Sequence, residues 1–230
     1  MLNNLKQDLE KLANKDKSKL LQRFFKTGKG EYGYGDIFLG ITVPNQRKIA
    51  KKYFNLNLNQ IEELLKSKIH EHRLTALLIL VDKFKKGEES IKKEIVNFYL
   101  KNINYINNWD LVDLSSHKII GEYLIDKDKS ILYKLARSDN LWEKRISIIS
   151  TASFIRENKF EDTLKISKIL LHDKHDLIHK AVGWMLREVG KRNQNIEEVF
   201  LKKYYKKMPR TMLRYSIEKF DKNKRRFYLS

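Results

Sequence analysis

The stretch Asp176-Leu177-Ile178-His179-Lys180-Ala181-Val182-Gly183-Trp184-Met185-Leu186-Arg187-Glu188-Val189-Gly190-Lys191 decides how this chain is read. At 100° per residue, Leu177, Ile178, Ala181, Val182, Met185, Leu186 and Val189 gather on one arc, which is the signature of an amphipathic helix. The same periodicity continues towards both ends. It predicts helices over residues 4–13, 17–26, 45–54, 58–67, 70–85, 89–102 and 109–125. Seven more follow at 128–137, 141–156, 160–171, 176–191, 196–206, 209–220 and 222–227. No alternating run is long enough for a strand. With only 9 Gly and 2 Pro, the chain has few helix breakers, so the expected class is all-α.

Helices of this length joined by short turns predict antiparallel pairs stacked side by side, at a repeat of about 40 residues. The expectation is a HEAT-like α-solenoid with a concave basic face, forming a single domain over residues 1–230. A helical bundle is the plainer alternative. One connection is long. Residues 27–43 hold five of the glycines (Gly28, Gly30, Gly33, Gly35, Gly40) and lead into Pro44. That loop lacks the Gly-Lys-Ser/Thr ending of a phosphate loop, so no nucleotide is expected there.

Charge narrows the partner. There are 48 Lys+Arg against 29 Asp+Glu, a net charge of +19, which calls for an anionic partner such as nucleic acid. Nearly half of the excess sits in residues 201–230, with 11 Lys/Arg against 2 Asp/Glu. Arg210 and Arg214 lie there among Tyr204, Tyr205, Tyr215 and Phe227, so these segments read as folded basic helices rather than a tail. Cysteine is absent, which excludes disulfides, thiolate metal sites and a Cys nucleophile. The longest mainly apolar run, Leu74–Val81, is far short of the ~20 residues that span a bilayer. No secretory pattern opens the chain, so the expected setting is intracellular, in the cytoplasm.

Three residues disagree with their helical positions. Trp184 lies off the apolar arc, among Lys180, Arg187 and Lys191. It either meets a nucleic acid or fills a gap against a neighbouring helix. Arg145 falls inside the apolar arc of Ile146, Ile148, Ile149, Ala152 and Ile155. A buried guanidinium needs a carboxylate partner or an open groove in which to take a phosphate. Asp113 stands one turn after Trp109 on a stripe with Val112, Ser116, Ile119 and Ile120. It is either a helix-start charge, paired with Arg145 or His117, or a carboxylate held beside an aromatic wall for chemistry. Asn108 and Asp110 read as helix-start residues, and so does His70-Glu71-His72. His172, His175 and His179 lack the acids that would complete a metal site, so none is expected.

Four motifs then agree with a known pattern. They are Phe38-Leu39-Gly40-Ile41-Thr42-Val43-Pro44-Asn45-Gln46-Arg47, Asn108-Trp109-Asp110-Leu111-Val112-Asp113, Asn140-Leu141-Trp142-Glu143-Lys144-Arg145 and Lys180-Ala181-Val182-Gly183-Trp184-Met185-Leu186-Arg187-Glu188. In this order they resemble the AlkD-like DNA alkylation repair family, HEAT-like-repeat DNA glycosylases. The resemblance implies hydrolysis of the N-glycosidic bond of N3- or N7-alkylated purines in duplex DNA, by a monomer, without metal or organic cofactor. It implies that Asp113 is the catalytic carboxylate, that Trp109 and Trp184 line the deoxyribose, and that Arg145 grips the backbone beside the lesion. Arg47, Lys180, Arg187, Arg210 and Arg214 would contact DNA. The chain departs from the tested glycosylases at Asn108, where they often carry a second Trp, and in its longer glycine-rich loop. Some relatives of this fold bind DNA without excising bases.

Overall fold

The computed structural model describes all 230 residues, and they are all-α. The one pairing of extended backbone is an isolated parallel bridge between Ile37 and Ile69. No helix is long and apolar enough to cross a membrane. The chain divides into two compact units, Met1–Ser115 and Ser116–Ser230.

In the first unit the helices are α1 (Leu2–Glu10), α2 (Lys15–Phe24), α3 (Val43–Lys52), α4 (Leu58–Leu65), α5 (His70–Lys86), α6 (Glu89–Lys101) and α7 (Trp109–Ser116). Helix α5 is the axis of this unit, with α1, α3, α4 and α6 packed on it. Its residues His70 through Val81 are buried without a break, which explains the apolar run. Each fully buried Leu or Ile contributes about 1.5–3 kcal/mol. Helix α2 is different, because none of its residues is buried. Asn14 caps it, accepting from Lys17 N–H at 2.9 Å.

The glycine-rich connection is ordered by an acid. Glu71, buried at the start of α5, accepts N–H bonds from Leu39, Gly40 and Ile41 at 2.9, 2.8 and 3.2 Å. Gly40 has φ +84°, and a Cβ there would lie 2.2 Å from the Asn14 carbonyl oxygen. The turn therefore needs both left-handed backbone and the missing side chain.

The second unit holds α8 (Glu122–Leu124), α9 (Ser130–Ala136), α10 (Leu141–Ser150), α11 (Ala152–Arg156), α12 (Glu161–Ile169), α13 (Asp176–Arg192), α14 (Gln194–Tyr204), α15 (Arg210–Ser216) and α16 (Lys222–Leu229). Helix α13 is its axis, packed by α10, α12, α14 and α15. At Gly183 a Cβ would lie 2.4 Å from the Met212 carbonyl oxygen and 2.6 Å from Tyr215 Cβ, so α13 and α15 meet at a point with no room for a methyl.

Two predicted helices are interrupted. The segment 109–125 contains one π-helical turn, His117–Gly121, where the His117 carbonyl accepts from Glu122 N–H and from the Ser153 hydroxyl at 2.6 Å. The segment 141–156 breaks at Thr151, whose hydroxyl donates to the Ile148 carbonyl at 2.7 Å. Hydroxyl-to-backbone bonds of this kind compete with the helical ladder. Periodicity cannot register either event, since the apolar arc runs on across both.

Candidate functional site

Helix α7 presents the first group. Asn108 and Asp110 flank its first residue, Trp109, and both are buried. Asn108 Oδ1 accepts from Trp109 N–H at 2.8 Å, and Asp110 Oδ1 accepts from Leu111 N–H at 2.8 Å. Their other atoms reach inward. Asp110 Oδ2 is 2.8 Å from His70 Nε2, and Asp36 Oδ2 is 3.2 Å from His70 Nδ1. Arg73 Nη2 donates to Asp36 Oδ2 at 2.5 Å, and Asn108 Nδ2 donates to the same oxygen at 3.4 Å. Burial works against charge on His70, but the Asp110 charge and hydrogen bond, with the Asp36 hydrogen bond, outweigh it and hold the imidazole up at about 8. Burial also opposes charge on Asp36, and here the His70 hydrogen bond and the Arg73 charge prevail, so its carboxyl is held below the usual range.

An aromatic stack rises from this network. His70 lies parallel to Phe38 at 4.4 Å and tilts against Phe25 at 5.1 Å. Phe25 stacks on Trp109 at 5.0 Å with an interplanar angle of 5°, and Phe24 meets Trp109 edge-on at 5.8 Å. Trp109 is thus fixed both at its backbone and through its ring. Asp113 follows one turn later on α7 and is half-buried. Its charge adds to burial in raising the Tyr99 phenol, whose hydroxyl is 2.9 Å from Ser115 Oγ.

The second unit carries the other residues singled out by sequence. Arg145, on α10, is 5% exposed, and its Nη1 donates to the Leu177 carbonyl in the first turn of α13 at 2.5 Å. Lys180 and Trp184 follow on that helix. Trp184 is half-buried, and its indole donates to Glu188 Oε1 at 3.1 Å. Lys191 Nζ meets the same oxygen at 2.7 Å. Lys180 pairs with Asp176 at 2.7 Å. Arg187 forms ion pairs with Glu218 and Glu188. On α15, Arg210 and Arg214 are exposed one turn apart, while Arg47 on α3 is half-buried. His175 caps α13 by accepting from Leu177 N–H at 3.1 Å, and His179 Nε2 meets the Asp173 carbonyl at 2.6 Å. No group of three His, Asp or Glu is arranged to hold a metal.

The family model described as DNA alkylation repair enzyme matches residues 5–220. This chain belongs to that family. As a DNA alkylation repair protein it has DNA as its partner and repair as its role. Two solved structures share its fold. One, described as a predicted DNA alkylation repair enzyme from Enterococcus faecalis, is 16% identical, with a TM-score of 0.72 over 91% of this chain and 97% of that one. The other, AlkD2 from Streptococcus mutans, is 18% identical, with a TM-score of 0.55 over 90% of this chain and 99% of that one. The likeness gives this repair protein the all-α repeat fold of AlkD-type structures. No curated protein matches it in sequence.

Sequence reasoning missed the support beneath Trp109. His70, Glu71, Asn108 and Asp110 read as helix-start residues, yet all four are buried and bonded. One signal was available. The cluster His70-Glu71-His72-Arg73 directly precedes the apolar run Leu74–Val81, so its charges had to enter the core with partners.

Proposed function

We propose that this chain is a monofunctional DNA glycosylase that hydrolyses the N-glycosidic bond of N3- or N7-alkylated purines in duplex DNA. The observation that supports it is Asp113, half-buried, one turn from a Trp109 held by the Phe25 stack. An alkylated purine is already cationic. When its bond to C1′ breaks, the electron pair neutralises the base, which leaves without protonation, and positive charge develops on the sugar. A carboxylate beside the sugar stabilises that charge and orients water. Water adds to C1′ and gives up a proton, leaving an abasic sugar and the free base. One carboxylate suffices, unlike the acid and base pair of sugar hydrolases. In this reading Trp109 and Trp184 line the deoxyribose and Arg145 grips the adjoining phosphate. Arg47, Lys180, Arg187, Arg210 and Arg214 hold the duplex along a concave basic face of one HEAT-like domain, as a monomer working in the cytoplasm.

The test is release of 7-methylguanine and 3-methyladenine from methylated duplex DNA. Wild type is expected to release both, and Asp113→Asn to lose at least about 10²-fold in rate. Background-level release by wild type, or an unimpaired variant, ends the enzyme reading. The exposed Arg210 and Arg214 support a second reading, a non-enzymatic protein that recognises damaged or branched DNA. It expects binding that falls steeply with salt and is untouched by Asp113→Asn.

A further inference from the structure

The far end of α5 carries a second recess. Lys83 stands about 20 Å along the helix from His70, at the opposite end from the network beneath Trp109. The recess has a volume of about 730 Å³. It is walled by the connection from α3 to α4, the last turn of α5 and the first turns of α6. Its floor is apolar, made by Phe54, Leu58, Ile91 and Ile95. Ile91 is 42% exposed, so this floor meets solvent.

Two lysines stand over one ring of that floor. Lys86 Nζ is 4.4 Å and Lys83 Nζ 4.9 Å from the centre of Phe54. Burial alone shifts Lys83, holding its ammonium below the ordinary value, so no carboxylate stands close enough to compensate. Glu94 is the one acid in the lining, which leaves an excess of one positive charge. Two ammonium groups gathered on one ring repel each other, and an anion set between them offsets that repulsion. The first turn of α4, following its Asn57 cap, borders the same recess and adds the positive end of a helix dipole.

The shape selects the class of anion. Small-molecule pockets enclose about 70–90% of their ligand's surface. Here Asn57, Asn59, Lys86 and Glu94 are all exposed around the rim, so an occupant keeps one side in water. A polypeptide suits that arrangement, because it can bury one apolar side chain and leave its backbone outside. A nucleic-acid backbone gains little from apolar walls and meets the Glu94 charge.

We infer that this recess docks an acidic peptide segment of a partner protein, with an apolar side chain against Leu58 and Ile91 and an adjacent carboxylate between Lys83 and Lys86. The inference is independent of the glycosylase reading.

The test is fluorescence anisotropy of the full chain with three labelled peptides at about pH 7. They are Asp-Asp-Leu-Phe-Asp-Asp, its neutral form Asn-Asn-Leu-Phe-Asn-Asn, and Asp-Asp-Gly-Gly-Asp-Asp. The first is expected to bind at least about tenfold more tightly than either of the others. The double substitution Lys83→Gln, Lys86→Gln is expected to weaken it by about tenfold or more, and Ile91→Asn, at an exposed position, by about fivefold. Lys202→Gln with Lys203→Gln removes the same charge from α14 and is expected to change affinity by less than about twofold. Absence of saturable binding overturns the inference. So does equal affinity for the first and third peptides, or an equal loss from the two lysine pairs, since either result means diffuse attraction to a basic protein. Hexathymidylate is the nucleic-acid control. If it loses as much affinity as the peptide when Lys83 and Lys86 are replaced, the recess is a phosphate site and the peptide inference falls. If the Lys83 and Lys86 variant fails to fold by circular dichroism, Ile91→Asn decides.

Discussion

Trp109 and Trp184 are supported in opposite ways. Trp109 stands on a buried charged network, held by stacked rings and by Asn108 and Asp110. Trp184 is held by one hydrogen bond to Glu188, a half-exposed acid shared with Arg187 and Lys191. The buried acids of the two units differ in the same sense. Asp36, Glu71 and Asp110 each have bonded partners, whereas Glu197, 1% exposed on α14, has a carboxylate oxygen with none. Burial, with the Glu198 charge adding, pushes Glu197 up to about 9. The first unit thus fixes its aromatic wall with neutralised buried charge. The second keeps its indole on a surface set and shelters an acid that is neutral at ordinary pH.

The contrast breaks most sharply at Asp110. Asp110→Ala strips the buried His70 of its closest partner and of the charge that holds it protonated, and is expected to cost about 3–5 kcal/mol in urea denaturation. A loss below about 1 kcal/mol would show that the network carries little. Glu197→Gln acts in the other direction. A carboxyl with a raised folded pKa stabilises the fold fully only below its unfolded value near 4.5, and that contribution is lost as pH rises towards about 9. The glutamine variant is therefore expected to be more stable by about 3 kcal/mol at neutral pH, with the gain vanishing near pH 4.5. Equal midpoints across that range would remove the buried neutral acid from the comparison.

His70 gives a smaller effect. Its folded pKa lies above 6.5, so its contribution is complete below that pH and is lost as pH rises through about 8. The stability difference between wild type and His70→Gln should shrink by about 2 kcal/mol across that window. A difference that is flat with pH would mean that His70 carries no charge. The smallest change is expected at Glu188→Ala, where surface pairs contribute about 0–1 kcal/mol. Thermal denaturation should register almost nothing there, while Trp184 fluorescence shifts with the loss of the indole's partner.

The comparison also shows what the sequence could convey. Trp184, Arg187, Glu188 and Lys191 lie within two helical turns, so spacing alone placed them together. The all-α class and the existence of most helices followed from the same local periodicity. The partners of Trp109 come from elsewhere in the chain. Phe24 and Phe25 lie across the glycine-rich connection, and His70 lies on α5. No periodicity links positions that far apart. The breaks at His117–Gly121 and Thr151 were hidden for another reason, because they alter the hydrogen-bond ladder without disturbing the apolar stripe.

Gly183 has a consequence for how this protein can change over generations. Its α-hydrogen faces the Met212 carbonyl and Tyr215, immediately before Trp184 in the chain. Alanine there would gain about 1 kcal/mol in helix propensity and still force α13 and α15 apart. Every residue-altering mutation at this codon adds at least a methyl, so the position has no conservative neighbour in the genetic code. The space between Gly183 and the Met212 carbonyl admits a hydrogen atom and nothing larger.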